Sequence, residues 1–452
     1  MGAPRPDVAV VGGGVAGLAC ATALAALGWR VCVLEARTVL GGRASSWADE
    51  RLGCEVDNGP HLFAGAYREI SALLARLGTA DRLRPAPRLR VPLRAAGGPG
   101  AVLEWGAAPG VLGLSQGFAR FGALGAADRA RLLAVPLAAW HEGDAPDVPL
   151  GEWLTRLGQT PAARRWLWDP MAKAVFNEEP DRLSARLFAT VVRRLFLGGA
   201  RAAALAHAGC GLSRLYAEPA AAYLAARGSQ VRRAARAVAA VPAAQGWEIH
   251  LAEGDPVPAR AVCLAVPPAR ALALFGGAGQ PAPAPLAAAA RMPHAPLVSV
   301  HLRLAGDAPL FAEPFLGFVD GDFAWCFDRT ALAGVPGPGR HVSLVAPGAR
   351  ALLARAAAEI VAAAHAALAA HAPAAADRAV TAARVVKEPH AAPSLTPEVA
   401  RNRPPARTGL PGLVLAGDWT DTGLPATLEG AAQSGHAAAR LLHRGLAGAP
   451  AW

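Results

Sequence analysis

The sequence predicts an α/β fold, in which a parallel sheet between layers of helices is interrupted by insertions that build a second, α+β domain. A strand–turn–helix–strand unit occupies residues 7–35, and a buried strand followed by a helix lies near the C-terminus. Two long segments without this pattern separate them. At 452 residues the chain also exceeds what one hydrophobic core usually serves, so we expect two domains.

The N-terminal unit has the features of a dinucleotide-binding, Rossmann-type βαβ motif. Residues 7–11 are a β-branched run typical of a strand buried on both faces, and a G-x-G-x-x-G turn follows directly. An Ala/Leu-rich helix then leads to a second strand that ends at Glu35, 18 residues after the last glycine. Such a turn lets backbone amides approach a pyrophosphate, and the acid accepts ribose hydroxyls. The residues predicted to bind the cofactor here are Gly12, Gly13, Gly14, Val15, Ala16, Gly17, Glu35 and Ala36.

Two further segments indicate which dinucleotide is bound. Leu40-Gly41-Gly42-Arg43 follows the second strand, and Asp57-Asn58-Gly59-Pro60-His61 comes soon after. With these segments the sequence resembles the flavoprotein superfamily of amine oxidases and carotenoid desaturases. The resemblance implies FAD as the cofactor, with the G-G-R segment along its pyrophosphate and the second segment near the flavin. It assigns these roles to Gly42, Arg43, Gly59, Pro60 and His61.

The C-terminal strand and helix complete the cofactor site of that superfamily. A buried run over 413–416 ends at an acidic residue, and Pro425 suits the start of the helix predicted over 426–443. The resemblance implies that the acid binds the ribityl chain and that the helix N-terminus faces the flavin N1–C2=O edge, where reduced flavin is negative. A middle segment contributes backbone contacts near the adenine. The residues so assigned are Gly417, Asp418, Thr427, Leu428 and Val238.

These segments divide the chain between two domains. We expect an FAD-binding domain assembled from residues 1–75, 208–270 and 405–452. The insertions, 76–207 and 271–404, are expected to form the substrate domain.

Within the superfamily, the chain resembles the hydroxysqualene dehydroxylases in Val56–Glu69, Trp168–Asn177, Ser184–Thr190, Glu218–Tyr223 and Gly417–Gly435. The resemblance implies a hydrophobic isoprenoid substrate, from which an allylic hydroxyl is reductively removed to give squalene in hopanoid synthesis. The chain departs from that family at Pro60, where the family has Gln, and at Glu178-Glu179, where it has Thr-Pro. Removing a hydroxyl requires a proton donor. We predict His61 as that donor and Asp57 as the second candidate, with the alternative that His61 only binds backbone or cofactor.

Other functions remain open on the sequence alone. A carotenoid desaturase or isomerase would use the same fold on a polyene. An amine oxidase often has a lysine near flavin N5, and neither Lys173 nor Lys387 lies in a segment expected to reach it. A flavin-binding scaffold or redox sensor without turnover is the fourth alternative.

Composition limits the partners and the compartment. The formal net charge of +11 could favour nucleic acid or an anionic membrane surface, but basic residues are spread along the chain and no nucleic-acid motif is present. Six cysteines without a C-x-x-C pair favour a reduced, cytoplasmic protein. Tryptophans between residues 105 and 168, with apolar segments over 111–121 and 129–140, suggest peripheral contact with the inner face of the cytoplasmic membrane; a helical core is the alternative. The sequence gives no indication of the oligomeric state.

Overall fold

The computed structural model describes residues 5–141, 147–276 and 282–449. Its strands are β1 (Val8–Val11), β2 (Val31–Leu34), β3 (Ser46–Asp49), β4 (Cys54–Asp57), β5 (Leu62–Ala64), β6 (Leu83–Pro85), β7 (Arg90–Arg94), β8 (Gly100–Glu104), β9 (Leu205–Ala208), β10 (Gln230–Arg232), β11 (Ala237–Ala243), β12 (Gly246–Leu251), β13 (Val257–Ala259), β14 (Ala261–Leu264), β15 (His294–Leu304), β16 (Phe315–Phe318), β17 (Trp325–Asp328), β18 (Arg340–Pro347), β19 (Val380–Pro393) and β20 (Leu413–Leu415). Its α-helices are α1 (Val15–Ala26), α2 (Arg68–Leu77), α3 (Gly110–Ala119), α4 (Ala126–Arg131), α5 (Ala134–His141), α6 (Leu150–Arg156), α7 (Pro161–Ala163), α8 (Asp169–Phe176), α9 (Ala185–Val192), α10 (Ala200–Ala203), α11 (Glu218–Ala225), α12 (Pro268–Gly276), α13 (Ala284–Ala289), α14 (Arg329–Ala333), α15 (Arg350–Leu353), α16 (Ala357–His371), α17 (Pro397–Arg401) and α18 (Leu428–Leu446).

A five-stranded parallel sheet has the order β10-β2-β1-β14-β20. Every residue of β1, β2, β14 and β20 is buried, as expected for strands covered by helices on both faces. Helices α1 and α18 pack closely together, and a Cβ on Gly435 of α18 would lie 2.1 Å from the carbonyl oxygen of Ala16. The predicted α/β fold is therefore confirmed.

A second sheet of seven strands has the order β19-β15-β18-β17-β16-β7-β8. It is mixed, since β16 pairs with β7 in parallel and the other neighbours are antiparallel. Strands β1, β2, β10, β14 and β20 come from residues that the sequence analysis assigns to the FAD-binding domain. The seven strands of the second sheet come from the predicted insertions.

The helices of the first insertion enclose a large apolar core. Four tryptophans of the 105–168 segment belong to it, namely Trp105, Trp153, Trp166 and Trp168. Only Trp140 among the five is exposed, at 65%. The tryptophan concentration is therefore mostly a packing feature. None of the helices in the described part of the chain combines the length and apolar character needed to cross a bilayer.

Candidate active site

A cavity of about 1020 Å³ runs from the carboxyl ends of the parallel strands to the second sheet. The carboxyl edge of an open parallel sheet is where such folds bind ligands, because the strands there end in loops that leave a crevice. Most of the residues assigned to the cofactor line this cavity: Gly12, Gly14, Val15, Ala16, Glu35, Ala36, Gly42, Arg43, Gly59, Pro60, His61, Val238, Gly417, Asp418, Thr427 and Leu428. Gly13, Gly17 and Asp57 do not line it.

The glycine turn after β1 is shaped by close backbone contacts. A Cβ on Gly17 would lie 1.9 Å from the carbonyl oxygen of Gly12, so only glycine lets α1 begin this near the strand. Gly12 itself has φ +110°, which a residue with a side chain rarely adopts. Gly17 does not face the cavity; it shapes the glycine turn indirectly, by letting α1 pack close to the end of β1.

Two glycine turns meet at the N-terminus of α1. A Cβ on Gly42 would lie 3.2 Å from the Cα of Gly14, and Gly14 caps α1 without any side-chain hydrogen bond. No acidic residue occupies the first turn of α1. The positive end of the helix therefore opens onto a narrow backbone cradle, which fits a pyrophosphate group.

Glu35 lies at the end of β2 and is 8% exposed. Its carboxylate accepts hydrogen bonds from the amides of Gly13 and Arg37, each at 2.8 Å. Gly13 therefore orients the acid and does not face the cavity. Each carboxylate oxygen keeps acceptor capacity, which fits a pair of ribose hydroxyls.

Asp418 forms a salt bridge with Arg43, with Nη2 and Oδ1 separated by 2.6 Å. Its backbone carbonyl accepts a hydrogen bond from Arg403, whose buried guanidinium also donates to the carbonyls of Thr420 and Leu424. Arg403 therefore fixes the loop that carries Asp418. Sequence reasoning missed Arg403, because it belongs to no motif and its partners are backbone carbonyls.

The N-terminus of α18 differs in one respect from the prediction. The amide of Thr427 donates to the carbonyl of Pro425 at 2.8 Å, so it is already engaged. The hydroxyl of Thr427 caps the helix by accepting from the amide of Gly430. Among the described residues, the amide of Leu428 has no acceptor, so Leu428 and not Thr427 offers the free donor of the predicted pair.

Asp57 does not have the position that a proton donor needs. It is 2% exposed, lies off the cavity, and forms a salt bridge of 2.7 Å with buried Arg329. Ser46 and the amide of Leu212 also donate to it. The prediction of Asp57 as the second candidate acid is therefore corrected: its carboxylate is held by structural partners.

His61 lines the cavity, but its protonation state does not suit the predicted role. Burial lowers its pKa, so the ring is neutral near pH 7. Nδ1 lies 2.7 Å from the carbonyl of Gly59 and must donate the hydrogen bond, since a carbonyl only accepts. Nε2 then carries a lone pair. His61 is thus an acceptor at the cavity wall, as in the alternative reading, and is not poised to donate a proton.

Beyond these groups the cavity is mostly apolar. The apolar part of its wall in the second domain includes Leu89, Val91, Leu93, Leu103, Leu167, Met171, Val175, Val191, Leu195, Phe196, Leu205, Leu297, Trp325, Phe327 and Val345. Asn177, Arg194 and Glu388 are polar residues of the same wall. Lys173 also reaches it and is paired with Glu179 at 3.1 Å. Lys387 instead donates to the carbonyls of Leu353 and Arg355 and does not line the cavity. This chamber suits a long hydrocarbon chain.

The fold and the cavity define an FAD-dependent oxidoreductase. The chain belongs to the flavin-containing amine oxidoreductase family, whose sequence profile matches residues 15–443. It is similar over nearly its whole length to the hydroxysqualene dehydroxylase of Rhodopseudomonas palustris, at 32% identity over 96% of this chain and 98% of the relative. The enzyme of the same name from Sinorhizobium fredii is 28% identical over 96% of this chain and 98% of that relative. A zeta-carotene desaturase of Solanum lycopersicum matches only 42% of this chain and 34% of its own length, at 28% identity.

Solved structures share the fold at low sequence identity. Cyclohexylamine oxidase from Brevibacterium oxydans superposes with a TM-score of 0.74 at 18% identity, over 98% of this chain and 100% of that chain. Putrescine oxidase bound to putrescine superposes with a TM-score of 0.68 at 19% identity, over 97% of this chain and 98% of that chain. The family profile and the full-length relatives confirm the predicted superfamily and the FAD cofactor.

Proposed function

We propose that the enzyme removes the allylic hydroxyl of hydroxysqualene reductively and releases squalene. The observation that carries this proposal is the apolar chamber that continues the cofactor cavity into the second domain. It supports a hydrocarbon substrate of polyprenyl length, and the relatives that match nearly the whole chain are named for this activity.

The residues have separate tasks in this reaction. Reduced flavin, when bound, supplies a hydride. We propose that the G-x-G-x-x-G turn, Glu35, the G-G-R turn and Asp418 hold the cofactor, and that Leu428 faces its N1–C2=O edge. The apolar wall holds the polyprenyl chain and excludes water, which orients the allylic carbon. Residues 1–75, 208–270 and 405–452 form the cofactor domain in this proposal, and the two insertions form the substrate domain.

A membrane contact would solve the delivery of such an insoluble substrate. Val111 and Leu112 on α3 and Leu137 and Trp140 on α5 are 50–66% exposed. Both helices contact the π-helical segment Arg193–Leu197, three of whose residues line the cavity. We propose that this apolar face dips into an anionic bilayer, which the positive net charge favours, and that substrate enters beside it.

The test is an anaerobic reaction of the dithionite-reduced holoenzyme with hydroxysqualene. Reappearance of the oxidised-flavin absorbance together with squalene, identified by mass, would support the proposal. Reduced flavin that persists without squalene would contradict it. Oxidised enzyme would then be tested with phytoene-type polyenes, because the partial match to a zeta-carotene desaturase makes desaturation the second candidate.

A further inference from the structure

One carboxylate on the cavity wall differs from the others. Glu35 and Glu429 accept backbone amides, and Asp418 pairs with Arg43. Glu388 also lines the cavity, but within the described residues it accepts no hydrogen bond and has no ion-pair partner within 4 Å, although its charge and that of Arg43 attract one another. A carboxyl group without a hydrogen-bonded protein partner in a largely apolar cavity gains most from a polar group of the ligand.

The strand register puts Glu388 beside the proposed flavin end of the cavity. Glu388 on β19 is the direct partner of Leu297 on β15. A Cδ atom of Leu297 lies 3.2 Å from the position of a Cβ on Gly59, so this pair adjoins the Gly59–His61 wall. Three residues further along β19, the carbonyl of Ala391 accepts a hydrogen bond from Arg43 at 2.7 Å. Glu388 therefore lies where the cofactor groups and the apolar chamber meet.

Several other polar groups of this region already donate their hydrogens to protein partners. The Nδ1–H of His61 donates a hydrogen bond to the carbonyl of Gly59, and Lys173 forms a salt bridge with Glu179. The side-chain amide of Asn177 donates to the carbonyls of Ala295 and Pro296. Both terminal nitrogens of Arg43 already donate hydrogen bonds, Nη1 to the carbonyl of Ala391 and Nη2 to the carboxylate of Asp418.

We infer that Glu388 binds the hydroxyl of the polyprenyl alcohol and donates the proton with which it leaves. This inference rests on the proposed function. As the allylic C–O bond breaks, both bonding electrons stay on oxygen, the carboxyl proton of Glu388 forms the new O–H bond, and water leaves. The carbon takes the hydride that reduced flavin supplies. The Glu388 carboxylate then regains a proton from solvent.

Ligand binding to the oxidised holoenzyme tests this role without turnover, because no hydride is available. Hydroxysqualene and squalene are titrated separately in detergent micelles, and the perturbation of the flavin absorbance reports binding. We expect the wild type to bind the alcohol about tenfold tighter than the hydrocarbon, the effect of about one net hydrogen bond. Glu388→Leu should lose this preference while it keeps its affinity for squalene.

Two further variants make the result specific. Glu388→Gln keeps the shape and can still bind a hydroxyl, but it cannot donate a proton. It should retain most of the preference for the alcohol and lose about 10²-fold or more in dehydroxylation by the reduced enzyme. The matched control is Glu398→Leu, on the exposed first turn of α17 and off the cavity, which should behave as the wild type.

The outcomes separate the inference from the proposed function. If the wild type prefers and converts the alcohol but Glu388→Leu keeps the preference, or Glu388→Gln keeps full turnover, the role of Glu388 is wrong and the function stands. If the wild type does not convert hydroxysqualene at all, the proposed function fails and the inference fails with it.

Discussion

Arg43 and Asp418, 375 positions apart in the chain, form a salt bridge of 2.6 Å on the wall of the cofactor cavity. The other arm of the same guanidinium donates to the carbonyl of Ala391 at 2.7 Å. One side chain thus ties together the G-G-R turn, the end of β19 and the loop after β20. These three segments meet only in the folded chain, so the geometry of the candidate cofactor site depends on this residue.

Arg43→Met should therefore weaken FAD binding about tenfold or more. The substitution keeps much of the side-chain volume but leaves the largely buried Asp418 without its ion partner. The measurement is the ratio of flavin to protein after gel filtration, followed by FAD titration of the apoprotein. Arg131→Met, which removes an exposed pair with Asp128 on α4, is the control and should leave occupancy unchanged. Full flavin occupancy in Arg43→Met would refute the assignment.

Asp57→Asn should destabilise the fold. Its ion pair with Arg329 is buried on both sides, so a neutral partner leaves a buried cation without compensation, at a cost of about 3–5 kcal/mol. Denaturant unfolding of the variant measures this cost. In the double variant Asp57→Leu/Arg329→Met, where no unpaired charge remains, part of the stability should return. A variant of unchanged stability that has lost turnover would instead restore Asp57 as a proton donor.

Two buried histidines should make the protein sensitive to acid. Burial lowers the pKa of His301 to about 4, and burial followed by the charges of His301 and Arg329 lowers that of His341. In the unfolded chain both titrate near 6.5. The unfolded state therefore binds more protons between pH 6.5 and 4, and the free energy of unfolding should decrease as the pH falls through this window, by about 3 kcal/mol for His301.

The free energy of unfolding, measured from pH 8 to 4, checks this expectation. His301→Gln should have a shallower slope below pH 6.5 than the wild type. His250, whose side chain is 43% exposed, provides the control, because His250→Gln removes a histidine outside the buried core and should leave the slope unchanged. The explanation would be lost if His301→Gln showed the wild-type slope.

Leu112→Ser/Trp140→Ser should reduce binding to anionic liposomes about tenfold or more. Each side chain would lose the free energy of transfer into an apolar environment, about 1.5–3 kcal/mol when burial is complete. Sedimentation with vesicles of phosphatidylglycerol at low salt measures the effect. The control is Leu27→Ser, which also replaces an exposed leucine with serine but lies just after α1, away from the proposed membrane face. Equal binding by the double variant and the control would exclude the proposed membrane face.

The sequence predicted those parts of the site that depend on local backbone requirements. Gly12 needs a positive φ, Gly17 leaves no room for a side chain, and Glu35 follows its strand at a fixed distance. The remaining features depend on pairs distant in sequence. Nothing local to Asp57 indicates that Arg329 binds it, and nothing near Glu388 indicates that β19 brings it to the cavity. Such pairings follow from tertiary packing, which a single sequence does not encode in short motifs.

The sheet order has a consequence for biosynthesis. β1 and β20 lie in the same five-stranded sheet, and α1 packs against α18, so the first and last structured parts of the chain are neighbours. When only the first 400 residues have left the ribosome, β1, β2, β10 and β14 have been made, but β20, Asp418 and α18 have not. The nascent sheet therefore keeps its β14 edge unpaired until residues 413–415 have been synthesised. The sheet, and with it the candidate cofactor site, is thus completed only after the ribosome has passed α18.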